Sequence, residues 1–370
     1  MARARFLHAA DLHLSRPFGF LPPQLAEERR RDQRRALTRI ADLALERNVD
    51  LVLIAGDLFD SPDPDPTDLE AVAREFSRLA EGGKRVFAIP GNHDFAFPNS
   101  FWRGMNLEGL HVFLDTEWSS VALDDLGIAV MGIAFHHGKS ERRAFDGLQI
   151  PDGVSAILLV HASYEAFEGQ LERYHPFSMS ELADTKASYA ALGHYHRFNP
   201  ILAEGVAACY PGTPEGISFD KPETEDRFII LGEIGEGGKA KIEPVKINHR
   251  IMRSAEIDCT SFDSQVGLLD AVRRFCQPNA LIELKLVGSP TSDLAPLLEE
   301  LPNRFRESCL HLAADVSNLS LVTDLPADDR TIRGRFCKHL LQQIENSTDP
   351  ERRRLLRRAL ELGLAAFNEE

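Results

Sequence analysis

The 370 residues are 43% hydrophobic and 27% charged, with a formal net charge of −15. That balance describes an ordinary globular chain and argues against a general polyanion binder, and no apolar run approaches the ~20 residues that span a membrane. Five cysteines (Cys209, Cys259, Cys276, Cys309, Cys337) form no Cys-x-x-Cys pair, which predicts reduced thiols and a cytoplasmic protein.

In chain order, Phe6-Leu7 opens a first strand so close to Met1 that no room is left for a leader. The strand runs into Asp11-Leu12-His13. Arg29, Arg30, Arg31, Arg34 and Arg35 follow on a predicted helix, either as a solvated face or as a phosphate-contacting patch. Leu51 to Ile54 is a buried strand entering Gly56-Asp57. Pro62-Asp63-Pro64-Asp65-Pro66 is a stiff surface loop, and Leu69 to Ala80 reads as helix. Val86 to Ile89 enters Gly91-Asn92-His93-Asp94, Ile157 to Val160 enters His161, and Tyr189 to Leu192 enters Gly193-His194-Tyr195-His196. Ligands at the carboxyl ends of strands in an α/β sheet converge on one crevice. The five motifs together offer enough carboxylate, imidazole and amide groups for two adjacent divalent ions. Gly232 to Gly238 reads as the turn of a late hairpin.

Five motifs in this order resemble those of the calcineurin-like metallophosphoesterases, over about residues 4 to 235. Within that superfamily the chain is similar to the SbcD-type DNA repair exonuclease subunits, including the YhaO-like branch. The narrower resemblance rests on Gly56-Asp57-Leu58-Phe59-Asp60, on Gly91-Asn92-His93-Asp94 and on Tyr210-Pro211-Gly212-Thr213-Pro214-Glu215, where Thr213 replaces the usual serine and keeps its hydroxyl. It implies a four-layer α/β/β/α sandwich, a small α+β capping domain and C-terminal helices. It also implies one metal held by Asp11, His13, Asp57 and His196, and another by Asp57, Asn92, His161 and His194, with Asp57 as the bridge. Manganese is the expected metal, and mixed oxygen and imidazole ligation also admits Fe or Zn²⁺. A metal-bridging hydroxide would attack the phosphodiester, His93 would assist the leaving group, and Asp94 would orient its imidazole. Asp60 takes a place where some relatives carry His. His8 reads as a core or wall residue, and the His136-His137 pair matches no motif.

After His249 the pattern changes. Strand Met252–Asp258, helix Ser264–Phe275, strand Leu281–Val287, a helical stretch Leu294–Leu301 and strand Leu310–Val316 make a small α+β module without a catalytic constellation. The predicted organisation is a phosphoesterase domain over 1–248, a capping domain over 249–323 and a helical docking segment over 331–370. The last segment holds helices Ile332–Glu345 and Pro350–Phe367, the second capped by Thr348 or Asp349. Leu355, Leu356, Ala359, Leu360, Leu364 and Phe367 form one apolar stripe, which packs either on the chain's own body or into a partner's groove.

Several phosphoesterase classes fit poorly. Ser61-Pro62 follows Asp60 where serine/threonine phosphatases carry Arg-Gly, and Asp60 stands where purple acid phosphatases need a tyrosine. The reading that remains is a two-metal-dependent DNA nuclease, the nuclease subunit of an SbcCD-like double-strand-break repair complex. Its partners would be DNA, an SbcC-like coiled-coil ATPase docked through the C-terminal helices, and a possible second copy in a homodimer. The alternatives are a small-molecule or cyclic-nucleotide phosphodiesterase and a non-catalytic DNA-tethering subunit. The acidic net charge does not exclude DNA, because bound cations reverse the local field.

Overall fold

The computed structural model describes residues 2–135, 142–167, 174–291, 293–319, 330–347 and 349–367. The chain divides into two units, Met1–Arg250 and Ile251–Glu370.

In the first unit β1 (Ala2–Ala9), α1 (Pro23–Glu46), β2 (Leu51–Ala55), α2 (Pro66–Glu81), β3 (Arg85–Ile89), α3 (Phe101–Gly104) and β4 (Leu110–Val112) alternate along the chain. Then come β5 (Ser119–Leu123), β6 (Ile128–Gly132), β7 (Ser155–His161), α4 (Met179–Asp184), β8 (Tyr189–Gly193), β9 (Asn199–Ala203), β10 (Val206–Tyr210), β11 (Phe228–Gly235) and β12 (Ala240–Lys246). They build two six-stranded sheets, ordered β12-β11-β1-β2-β3-β4 and β5-β6-β7-β8-β10-β9. The central neighbours β1-β2-β3 and β6-β7-β8 run parallel.

Strand alternation explains the layering. On β2, Leu51 and Leu53 point between the sheets, with Ile157, Leu159 and Tyr189. Val52 and Ile54 point the other way, against Leu37, Ile40 and Phe76 of α1 and α2. On β7 the outer face, Leu158 and Val160, packs with Leu182 of α4. Three apolar layers therefore separate four layers of structure, the α/β/β/α sandwich. Burial on both faces is why these strands read as unbroken apolar runs.

Two local readings are sharpened. Pro66 ends the proline-rich loop by starting α2, whose cap is Asp65 accepting from the Thr67 N–H. The late hairpin turns only after Gly235, because Gly232 stays in β11 under the ring of Phe6.

The second unit starts with β13 (Ile251–Asp258), α5 (Gln265–Arg273), β14 (Ala280–Gly288), α6 (Ala295–Arg304) and β15 (His311–Leu319). The strands pair in parallel, β13-β14-β15, so the module is a β–α–β–α–β alternation around Leu268, Leu284, Leu298 and Leu312. It also contains α7 (Ile332–Asn346) and α8 (Pro350–Ala366), with Arg353 Nη1 of α8 bonded to Asp263 at 2.6 Å. The single apolar stripe expected on α8 is split. Leu356, Leu360 and Leu364 pack on Cys337, Leu341 and Ile344 of α7, whereas Leu355 is 70% exposed and Leu362, outside that stripe, is 57% exposed. Thr348, one of the two expected caps, lies outside the described residues.

Candidate metal centre

Every motif sits at the carboxyl end of a central strand. Asp11 and His13 follow β1, Asp57 follows β2, Asn92, His93 and Asp94 follow β3, His161 ends β7, and His194 and His196 follow β8. The loops are cross-tied by Asp11 N–H donating to the Gly56 carbonyl at 3.1 Å and His13 N–H to the Asp57 carbonyl at 3.0 Å. Turning four side chains inward at such short range needs unusual backbone: Asp11, His13, Asp57 and His194 all have positive φ, at 54°, 46°, 48° and 104°. Left-handed conformations at non-glycine residues are costly and cluster at functional sites. Two of the motif glycines serve close approach. A Cβ on Gly91 would lie 2.2 Å from Asp57 Oδ1, and one on Gly193 would lie 1.9 Å from the Ala55 carbonyl oxygen.

The side chains meet in two overlapping groups. Asp11, His13, Asp57 and His196 bring their ligand atoms within 4.8 Å of one another. Beside them, Asn92 Oδ1 lies 2.9 Å from His161 Nε2 and 3.2 Å from His194 Nδ1, and His161 Nε2 lies 3.4 Å from Asp57 Oδ2. Asp57 is common to both groups. Asp11 also accepts from the His194 N–H at 3.0 Å, which fixes the carboxylate against the last motif.

The donor set suits two cations on a concrete test. Asp57 Oδ2 is buried and has no hydrogen-bond partner. Three imidazoles are committed by their Nδ1 atoms, which meet the Asp60 carboxylate, the Ala55 carbonyl and the Glu223 carboxylate for His13, His161 and His196 respectively. In the neutral imidazole the nitrogen facing a carboxylate or carbonyl carries the proton, which leaves Nε2 able to offer a lone pair to a cation. The Nε2 atoms of His13 and His196 lie 3.1 Å apart, and that of His161 lies 2.9 Å from the Asn92 amide oxygen, each pair within hydrogen-bond reach. A buried site so rich in acceptors is stabilised by positive charge, supplied by protons or by a cation. The titration behaviour agrees. Burial alone would depress His161, yet the charges of Asp57 and Asp11 lift it to about 9. His196 is likewise depressed by burial and lifted by Glu223, to about 8.

A model of the calcineurin-like phosphoesterases matches residues 4–198. The chain belongs to that family. Its homologues include the uncharacterized metallophosphoesterase YhaO of Bacillus subtilis (strain 168), 28% identical over 293 residues that cover 77% of this chain and 69% of the relative. The DNA double-strand break repair protein Mre11 of Aeropyrum pernix is 30% identical over 272 residues, 69% of this chain and 63% of that protein. SbcD, from the SbcCD nuclease of Bacillus subtilis, is 25% identical over 252 residues, 59% of this chain and 63% of that protein.

Within this phosphoesterase one sequence expectation needs correction. Asp94 does not touch the His93 imidazole. Its carboxylate accepts the N–H groups of Gly91 at 2.7 Å and Phe59 at 3.2 Å, pinning the β2 and β3 loops together. Burial, with the charge of Asp57 next, raises that carboxyl to about 7. His93 is oriented instead by the Asp60 carbonyl, 3.3 Å from its Nδ1, while its N–H donates to Asp57 Oδ1 at 2.8 Å. The arginine cluster, left open between a solvated face and a phosphate-contacting patch, is ion-paired throughout. Arg29 is buried against Asp32 and Glu215, Arg34 pairs with Asp68, Arg35 with Asp32, and Arg30 and Arg31 share Glu27.

His8 is a core residue, bonded through Nδ1 to the Tyr189 hydroxyl at 2.9 Å and depressed to about 3 by burial. His136 and His137 lie outside the described residues. Sequence reading missed Arg16, Glu223 and Arg227. Arg227 is buried and donates to the His196 carbonyl and to both oxygens of Thr213. No motif flags these three, since their partners are distant in sequence. A cavity of about 940 Å³ opens in front of the ligands, walled by Arg16, His93, Phe167, Tyr174 and Tyr195.

Proposed function

We propose that this phosphoesterase is a two-metal DNA nuclease working with a coiled-coil ATPase in the manner of an SbcCD complex. The observation that carries the metal reading is the unpartnered Asp57 Oδ2 at the meeting of two ligand groups, Asp11-His13-Asp57-His196 and Asp57-Asn92-His161-His194. The homologues named for DNA repair support DNA as the substrate and an ATPase as partner.

Bound divalent cations, with Mn²⁺ the first choice, would supply an activated water and neutralise charge on the phosphate. The chain's own residues do the rest. Asp57 spans the two groups. His93, wall residue of the cavity, has Nδ1 engaged with the Asp60 carbonyl, which leaves Nε2 to carry a proton to the departing oxygen. Asp94 maintains the loops that set Asn92 and His93 in place. The second unit contributes none of these ligands, and we assign it the capping and partner-docking roles. The exposed Leu355 and Leu362 on α8 support the docking role. Among the described residues no helix is long and apolar enough to cross a membrane, and all five cysteines are unpaired, which supports the cytoplasm as the compartment.

The test is cleavage of linear duplex DNA, single-stranded DNA and a bis-aryl phosphodiester by metal-stripped protein with and without Mn²⁺. Mn²⁺-dependent cutting of DNA is the expected result. Turnover of the small diester with no cutting of any DNA would transfer the assignment to a small-molecule phosphodiesterase.

A further inference from the structure

Two carboxylates stand behind the facing imidazoles of His13 and His196. On one side Asp60 Oδ1 meets His13 Nδ1 at 3.0 Å and also accepts from Arg16 Nη1 at 2.8 Å. Arg16 continues outward, its Nε donating to the Ile217 carbonyl at 3.1 Å. On the other side Glu223 Oε1 meets His196 Nδ1, while Oε2 accepts from the Thr213 hydroxyl at 2.8 Å and from the Ile217 N–H at 3.3 Å. Both arms therefore end on the peptide groups of Ile217. The circuit closes on the inside, where the two Nε2 atoms lie 3.1 Å apart. Ile217 and Glu223 are 2% and 3% exposed, so water does not compete for these bonds. The residues that follow, Ser218 and Asp220, wall the cavity in front of the ligands.

We propose that this circuit couples cation binding to the substrate-facing wall: Asp60 and Glu223 are positioning residues for His13 and His196, and a bound cation orders residues 217–223 through them. The inference rests on reading Asp11, His13, Asp57 and His196 as a metal site. A ligating imidazole that gives its other N–H to a carboxylate is fixed in orientation and made a stronger donor. Here the same carboxylates also hold the wall. Without a cation nothing draws the two Nε2 atoms onto a common centre, so the rings, and with them Glu223 and the Asp60–Arg16 pair, hold the Ile217 peptide less firmly. With a cation both rings point inward and the wall is clamped. Coupling of this kind is reciprocal, so an ordered wall also tightens the cation. It gives a role to the hydroxyl of the Tyr-x-Gly-Thr segment, since Thr213 Oγ1 both donates to Glu223 and accepts from Arg227 Nη2.

The experiment uses the full chain, with Mn²⁺ affinity measured by calorimetry and hydrogen exchange followed in peptides covering 213–226, metal-stripped and Mn²⁺-loaded. In the wild type Mn²⁺ should slow exchange in those peptides. Glu223→Gln keeps the size and an acceptor oxygen but loses the charge, and should bind Mn²⁺ ~10–100-fold more weakly. Arg16→Met and Thr213→Val should lose Mn²⁺-dependent protection, and Thr213→Ser should retain it. Wild-type affinity and wild-type protection in Glu223→Gln and Arg16→Met would overturn the coupling while leaving the nuclease reading intact. A wild type that binds no Mn²⁺ at all would overturn both.

Discussion

His13 and His196, 183 residues apart in the chain, face each other Nε2 to Nε2 at 3.1 Å, each backed through Nδ1 by a carboxylate, Asp60 or Glu223. Neither residue's own motif predicts that arrangement. It follows from β1 and β8 lying in different sheets whose carboxyl ends open on the same side of the sandwich.

The bridging role proposed for Asp57 predicts that Asp57→Asn abolishes both metal loading and turnover. An amide offers one neutral oxygen where the carboxylate offers two charged ones. Metal analysis of the purified variant should find fewer than two Mn²⁺ per chain. Two tightly held Mn²⁺ with normal cleavage would refute the bridge.

His93 carries a different expectation. Its side chain faces the cavity and its removal takes no member from either ligand group, so His93→Ala should keep its metal while turnover falls by ~10²–10⁴-fold, the usual scale of general acid–base assistance. Loss of metal with loss of activity would instead make His93 a ligand.

Gly193→Ala tests the close approach of the two sheets. The new Cβ would lie 1.9 Å from a backbone oxygen of β2, which cannot move aside as a flexible side chain would. Overpacking of this kind typically costs about 1–3 kcal/mol. Urea denaturation should show the loss, and Mn²⁺ affinity should fall too because His194 and Asp57 are displaced. A variant as stable as the wild type would mean that the loops yield.

The two faces of α8 should separate by mutation. Leu360 is buried against α7, so Leu360→Ala should destabilise the helix pair, by up to the ~2–5 kcal/mol seen for such truncations in cores. The double change Leu355→Glu and Leu362→Glu places charge on exposed positions and should leave the melting temperature unchanged while weakening capture of a coiled-coil ATPase partner. Equal loss of stability from both would assign the outer face to this chain's own packing.

Much of the centre was legible because its candidate ligands are local words. A strand two-face buried in a parallel sheet must be continuously apolar, and the turn after it must be glycine-rich to approach a neighbour, so Gly56-Asp57, Gly91-Asn92 and Gly193-His194 stand out in one dimension. The partners behind them did not stand out. Glu223 and Arg227 sit in an unremarkable polar stretch, and Asp94 appears in the sequence as the neighbour of His93 although its carboxylate turns to Gly91 and Phe59. The arginine run left two readings open because acids that pair with it, Asp68 and Glu215 among them, are contributed by other elements.

By itself the sequence indicated the central strands, the long helices, a donor set that suits cations and the family, because periodicity and motif spacing are properties of neighbouring residues. Only the tertiary structure decided which Nδ1 meets which acceptor, that Asp57 Oδ2 is left without a partner, and that the Asp60 and Glu223 arms converge on Ile217. Those are distances between residues far apart in the chain. They are set by how two sheets pack through a shared apolar layer, which no local pattern encodes.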